Sequence, residues 1–147
     1  MPPMVALLVL TALQTSAGAV APAPALAVAL TPQEIDWRPV PGVADGRERA
    51  LLAGQPEAGG TWTYRLRVPH PIRVEPHTHP VDEHITILDG VWALGIGRTF
   101  DADGLIPYPA GSFVVIPADT PHFIQVDAPG MVIQSSGSGV FATHPVN

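Results

Sequence analysis

The chain predicts an all-β fold, and three observations carry that expectation. Eighteen Pro and 14 Gly are scattered through 147 residues, and prolines so spread interrupt helices before they can lengthen. Residues 61–68 (TWTYRLRV) alternate, with Trp62, Tyr64, Leu66 and Val68 on one face and Thr61, Thr63, Arg65 and Arg67 on the other, the period of a half-buried strand. Short apolar runs then recur between turn signals, and no helical period free of Pro and Gly follows Leu30, a pattern that belongs to a sandwich or barrel.

Taken in order, residues 1–33 carry no charged side chain, and residues 4–13 (MVALLVLTAL) form a short apolar stretch. The small-residue patterns Ala17-Gly18-Ala19 and Ala25-Leu26-Ala27 follow, while Pro22 and Pro24 cut the stretch below the length of a membrane span. Residues 1–30 are therefore expected to be a cleaved signal peptide, although only the α-amino group supplies positive charge at its start. An uncleaved anchor and a buried part of the fold are the alternatives. The mature chain, residues 31–147, would be secreted or periplasmic. Residues 30–56 mix Pro, Gly and charge around one apolar run, residues 50–53, and read as an arm with one strand. Beyond residues 61–68, strand-like runs lie at 72–74, 84–88, 91–96, 113–116, 123–126 and 131–134. Asp89-Gly90 marks a hairpin, and Asp103-Gly104, Ala110-Gly111 and Pro129-Gly130 punctuate the remainder.

Composition narrows the function. With 46% hydrophobic and 14% charged residues the chain can bury one core. A net charge of −6 without any basic run argues against nucleic acid and anionic membrane surfaces as partners. The absence of Cys excludes disulfides, thiol nucleophiles and thiolate metal sites. No Ser-His-Asp triad, phosphate loop or paired carboxylates are visible, and no residue is singled out as catalytic.

The chemistry gathers at residues 75–84. His77, His79 and Glu83 share parity, and continuing it gives apolar Ile85 and Ile87, so on an extended segment all three functional groups lie on the buried face. An inward carboxylate with two imidazoles calls for compensation, and a divalent metal supplies it. A surface histidine-rich turn is the alternative. His84 and Asp82 fall on the opposite face, Asp82 as a turn cap. His70 and His144 lie beside prolines, in loops open to solvent.

The segment PHTHPVDEHITILDG, running through His77, His79, Glu83 and Gly90, and the segment GSFVVIPADTPH, with Gly111, Pro117 and His122, resemble the two motifs of the cupin superfamily. Between residues 71 and 126 the chain is similar to a small single-domain cupin. Three positions depart from the pattern: Pro71 and Asp119 stand where glycines are usual, and Val126 where Asn is. Asp tolerates the left-handed backbone that a turn at 119 requires. The resemblance implies a single cupin-type barrel, a double-stranded β-helix or jelly roll, over residues 33–146. It implies one divalent transition metal, Fe, Mn, Ni, Cu or Zn, on His77, His79, Glu83 and His122. Such a set would leave two positions of an octahedral metal open, and binding would weaken as pH falls through the histidine range near 6.

Trp62, Tyr64, Trp92, Leu94 and Ile96 are candidates for the pocket lining, with Phe113, Val115, Phe123, Ile124 and Gln134 as further candidates, and ordinary filling of the barrel is the alternative for each. Two functions follow from the resemblance. One is a metal-dependent oxygenase, dioxygenase-like, or an isomerase acting on a small oxygen-rich molecule. The other is a non-catalytic module holding a metal or small ligand, akin to cupin metal sensors, whose additional helical domain these 147 residues do not accommodate. Open sheet edges and the pairing habit of cupins imply a homodimer, with the arm at residues 30–54 able to swap across it, and no membrane contact once the signal peptide is removed.

Overall fold

The alternation of residues 61–68 becomes the longest strand of a computed structural model that describes residues 27–146. The signal-peptide expectation therefore falls almost wholly outside the described residues. The strands in chain order are β1 (Arg38–Pro39), β2 (Glu48–Gln55), β3 (Gly59–Val68), β4 (Ile72–Thr78), β5 (Glu83–Asp89), β6 (Val91–Ile96), β7 (Ile106–Pro109), β8 (Phe113–Ile116), β9 (His122–Val126), β10 (Met131–Ser138) and β11 (His144–Pro145). Helix among the described residues is limited to three 3-10 turns, Pro32–Glu34, Pro56–Ala58 and Ala102–Gly104.

Two antiparallel sheets result, one in the order β1-β2-β3-β10-β5-β8 and one in the order β11-β4-β9-β6-β7. They form the expected jelly roll as two facing sheets, which no ladder closes into a continuous barrel. Their inner faces share a core of Val68, Ile85, Ile87, Trp92, Leu94, Ile116, Val126, Met131 and Ile133. Each of these follows strand parity, as a sheet wet on one side demands. Trp62 is wholly buried at the end of the sandwich, and its Nε1 donates to the Gly139 carbonyl at 3.0 Å. The hairpin at Asp89-Gly90 forms as expected, with Gly90 at φ 74°.

Parity also corrects the expected lining. Glu83 pairs with Ile116 and Ile85 with Val114, so Ile116 and Val114 face inward. Phe113 and Val115 point outward and are 61% and 43% exposed. Ile96, at the end of β6, is 63% exposed. Gln134 lies on the outer face, where its Oε1 accepts from Arg65 Nε at 3.1 Å. Phe123 is buried, but away from the interior. It packs over Gly95 and beneath Phe100, whose ring centroid is 4.9 Å from its own.

Candidate metal centre

β4 carries the first two histidines, and it does so through an irregularity. Val74 pairs with Ile124 of β9 and His77 with His122, so three steps on β4 match two on β9. The extra residue is a bulge at Glu75 and Pro76. Proline has no N–H to lose from a ladder and suits that position. Without the bulge, His77 and His79 would face away from the side that Ile72 and Val74 line. With it, all four point inward, and β4 runs from Ile72 to Thr78 instead of ending at Val74.

His122, the first residue of β9, meets His77 across the ladder. The ring centroids of His77 and His122 are 4.2 Å apart, those of His77 and His79 5.0 Å, and those of His79 and His122 5.1 Å. The three ligand nitrogens lie within 4.8 Å of one another. All three residues are buried, His122 completely.

Each imidazole is oriented by a backbone carbonyl. His77 Nδ1 lies 2.7 Å from Glu75 O, His79 Nδ1 2.8 Å from Ala142 O, and His122 Nδ1 2.9 Å from Thr120 O. A carbonyl only accepts, so each Nδ1 carries the proton and each Nε2 keeps a lone pair. The Nε2 of His122 is buried with no hydrogen-bond partner, a costly condition unless something binds it. Burial, chiefly, holds His77 and His122 down to about 4. The neighbouring His79 and Arg47 add to the effect at His77, where the Glu75 carbonyl opposes it, and His77 adds to it at His122. Both rings thus stay neutral and able to coordinate well below the pH near 6 at which protonation was expected.

Glu83 opens β5 beside the triad. Its Oε1 accepts from Tyr64 Oη at 2.9 Å and from Ser135 Oγ at 2.6 Å, and its Oε2 lies 3.6 Å from His79 Nε2. Of the four expected ligands, three converge as one cluster. The fourth adjoins it, with one oxygen already engaged and the other turned toward His79. Burial raises the Tyr64 hydroxyl well above the ordinary phenol range, and the Glu83 charge adds to that, so Tyr64 remains a donor.

The centre opens into a cavity of about 490 Å³ between the sheets, lined by His77, His79, Glu83 and Tyr64 and by an apolar wall that includes Leu66, Val74, Trp92 and Ile124. Tyr64, Trp92 and Ile124 are thus lining residues as expected. Trp62 and Leu94 are core residues instead. His84 is exposed on the outer face, as parity required, with its ring 6.1 Å from that of Phe113. His70 and His144 are exposed, although His144 belongs to β11, paired with Thr78 of β4, and not to a loop. Asp82 Oδ1 accepts from Ala118 N at 2.7 Å and caps the turn before β9. In that same turn Asp119 holds φ 59° and its N–H donates to the His79 carbonyl at 2.7 Å.

Several contributors escaped the sequence. Ser135 had a signal, since it pairs with both Ile85 and Tyr64 and is a polar residue at an inward position. Ala142 acts through its backbone, which no side-chain pattern reports. Phe141 stacks on His79 with centroids 4.2 Å apart and planes 26° from parallel. Arg47 and Arg49, on and before β2, line the cavity from an arm whose pattern is irregular.

No curated protein matches the chain by sequence. Among solved structures, the chain is similar to KdgF from Halomonas sp., with 18% identity, a TM-score of 0.57, and 74% of this chain and 89% of that one covered. It is similar to the polyketide cyclase RemF from Streptomyces resistomycificus, with 17% identity, a TM-score of 0.66, and coverage of 81% and 84%. It is also similar to a chain of the Rhodobacter sphaeroides complex of SigE with the anti-sigma ChrR, with 16% identity, a TM-score of 0.54, and coverage of 74% and 51%. At these identities the likeness is one of fold. A sequence model of the ChrR Cupin-like domain matches residues 26–134. Taken with the histidine triad between two jelly-roll sheets, this match makes the chain a member of the ChrR Cupin-like domain family.

Proposed function

We propose that the protein is a metal-dependent enzyme that binds one divalent transition metal at His77, His79 and His122, with Glu83 as the fourth ligand, and transforms a small oxygen-rich molecule in the adjoining cavity. The observation that carries this is the convergence of three buried imidazoles, each fixed by a backbone carbonyl with its Nε2 lone pair facing the others. Such carbonyl partners are the usual orienting contacts of histidine ligands. The orphaned Nε2 of His122 fits a metal and fits little else. Hard carboxylate and imidazole donors, with no thiolate, suit Fe, Mn, Ni, Cu or Zn.

A bound divalent ion supplies Lewis-acid polarisation of a substrate oxygen, and oxygenase or isomerase chemistry builds on that. The chain's own groups do the rest. Tyr64 and Ser135 hold Glu83 Oε1, so that Oε2 is the oxygen presented to the centre. The apolar wall excludes water from around the substrate and strengthens each charged contact there. Metal-dependent oxygen uptake or product formation with a panel of diols and hydroxy acids tests the proposal. Turnover that disappears on chelation and returns with one metal is the expected result.

A second reading is a non-catalytic module that binds a metal or small ligand. It is favoured by the family match and by the likeness to a chain of the complex with the anti-sigma ChrR. Stoichiometric metal without turnover of any panel member would favour it. Two further expectations stand as proposals. The signal peptide is removed and the chain acts outside the cytoplasm, which N-terminal sequencing of the expressed protein tests. The chain pairs with a second copy, an arrangement that the open edge at β8, with Phe113 and Val115 exposed, supports.

A further inference from the structure

We propose that the cavity takes a small organic anion whose acid group is set on Arg49 and Arg47 at the mouth and whose other, oxygen-bearing end is directed toward the histidines, with an apolar body between the two. The inference deepens the function proposed above, since it names the substrate class of the same cavity. It stands on a separate feature, the charge placed around the mouth.

In a chain of net charge −6, two guanidiniums face one cavity. Arg47 is paired with Asp45 at 2.9 Å and Arg49 with Glu57 at 2.6 Å. In both pairs the cation is the more enclosed partner. The Arg47 and Arg49 side chains are 19% and 18% exposed, against 30% for Asp45 and 59% for Glu57. Arg47 lines the cavity and Asp45 is not among its lining residues, whereas Arg49 and Glu57 both line it, with the guanidinium the more enclosed of the two.

The geometry relates these charges to the centre. The ζ-carbon of Arg49 lies 5.7 Å from the ring centroid of Tyr64, and the far end of that ring bonds Glu83 at 2.9 Å. Tyr64 thus neighbours both the guanidinium and the carboxylate beside the histidines. Among the residues lining the cavity, two guanidiniums balance the carboxylates of Glu57 and Glu83, so a divalent metal leaves the enclosure positive. Glu57 engages Arg49 through Nη1, and a guanidinium has five donors in a fork that matches a carboxylate. Much of the remaining wall is apolar, with Val40, Val43, Leu66 and Val74 among its residues, and this selects for a hydrocarbon body.

The test uses the full-length chain and two isosteric probes, 4-phenylbutyrate and 4-phenylbutyramide. Binding is read by quenching of tryptophan fluorescence, with Trp92 in the cavity wall. Titrations run after chelation and again with one equivalent of zinc, and bound zinc is counted by elemental analysis. The acid is expected to bind at least about tenfold more tightly than the amide in both states, as a charge-assisted bidentate contact implies. Arg49→Gln is expected to bring the two probes within about twofold of each other, and Arg49→Lys to keep part of the preference. Equal affinity of the two probes in the unmodified chain, or no binding of either, overturns the inference whatever the variants do. So does an undiminished acid preference in the Arg47→Gln, Arg49→Gln double variant. Zinc bound without acid preference sinks this inference and leaves the metal centre standing. Acid preference without bound zinc supports this inference and removes zinc from the candidates for the metal centre.

Discussion

A histidine on the interior of a β-sandwich costs stability unless its ring is neutral and its nitrogens are engaged, and His77, His79 and His122 meet only part of that requirement. Their Nδ1 atoms are satisfied by carbonyls, while the Nε2 atoms face one another. Replacing His77 or His122 with Ala should reduce bound metal from about one per chain to a small fraction, because the set has no spare imidazole. His84→Ala should leave occupancy unchanged, since that ring is on the outer face. Elemental analysis of the three purified variants decides it, and equal loss in His84→Ala and His77→Ala would refute the placement. The metal-free protein also has a defined pH response. Unfolded imidazoles bind a proton near 6.5, whereas folded His77 and His122 bind one only near 4. Between those values the unfolded chain holds more protons, so stability contributed by these two rings is intact above pH about 6.5 and declines as pH falls toward 4. The loss should reach roughly a few kcal/mol. Urea midpoints at pH 7 and pH 5 measure it, and a midpoint that does not fall at pH 5 would contradict it.

At the scale of elements, legibility followed strand parity and failed where parity is interrupted. β3 and β5 alternate without a break, and Trp62, Tyr64, Glu83, Ile85 and Ile87 lie where alternation puts them. β4 could be read only to Val74, because Pro76 looks like a strand terminator, whereas the proline sits in the bulge that turns His77 and His79 inward. β7 went unread because Pro107 and Pro109 leave it few donors, which an edge strand tolerates. At Phe113 and Val115 hydrophobicity and register disagree, and register prevails, leaving both side chains on the outer face. The pair at Gly95 and Phe123 gives this level its own prediction. A Cβ at Gly95 would lie 2.1 Å from the Phe123 ring, and neither the ladder with β9 nor the Phe100 ring over Phe123 leaves that side chain an easy retreat. Gly95→Ala should therefore cost about 1–3 kcal/mol. Denaturant unfolding checks the value, and a change below a few tenths would show that Phe123 can repack freely.

At the scale of the whole molecule, two sheets enclose the histidines and the cavity between them, and β8 lies open at the edge of one sheet, where the proposed pairing would form. Sedimentation should show a species of twice the chain mass, and Phe113→Asp should shift it toward a monomer by placing charge on the β8 edge. A single-chain species in the unmodified protein would remove the homodimer. The contact between His79 and the Ala142 carbonyl spans 63 residues, and it bears on the order in which the nascent chain matures. His122 is the last expected ligand to emerge during synthesis, yet a chain halted between it and Ala142 lacks the carbonyl that sets the His79 tautomer and the Phe141 ring that covers it. The face that His79 turns toward the other two histidines is therefore settled by residues made up to twenty positions after the last expected ligand, so a metal held there would be captured only once Phe141 and Ala142 are made and β11 has paired with β4.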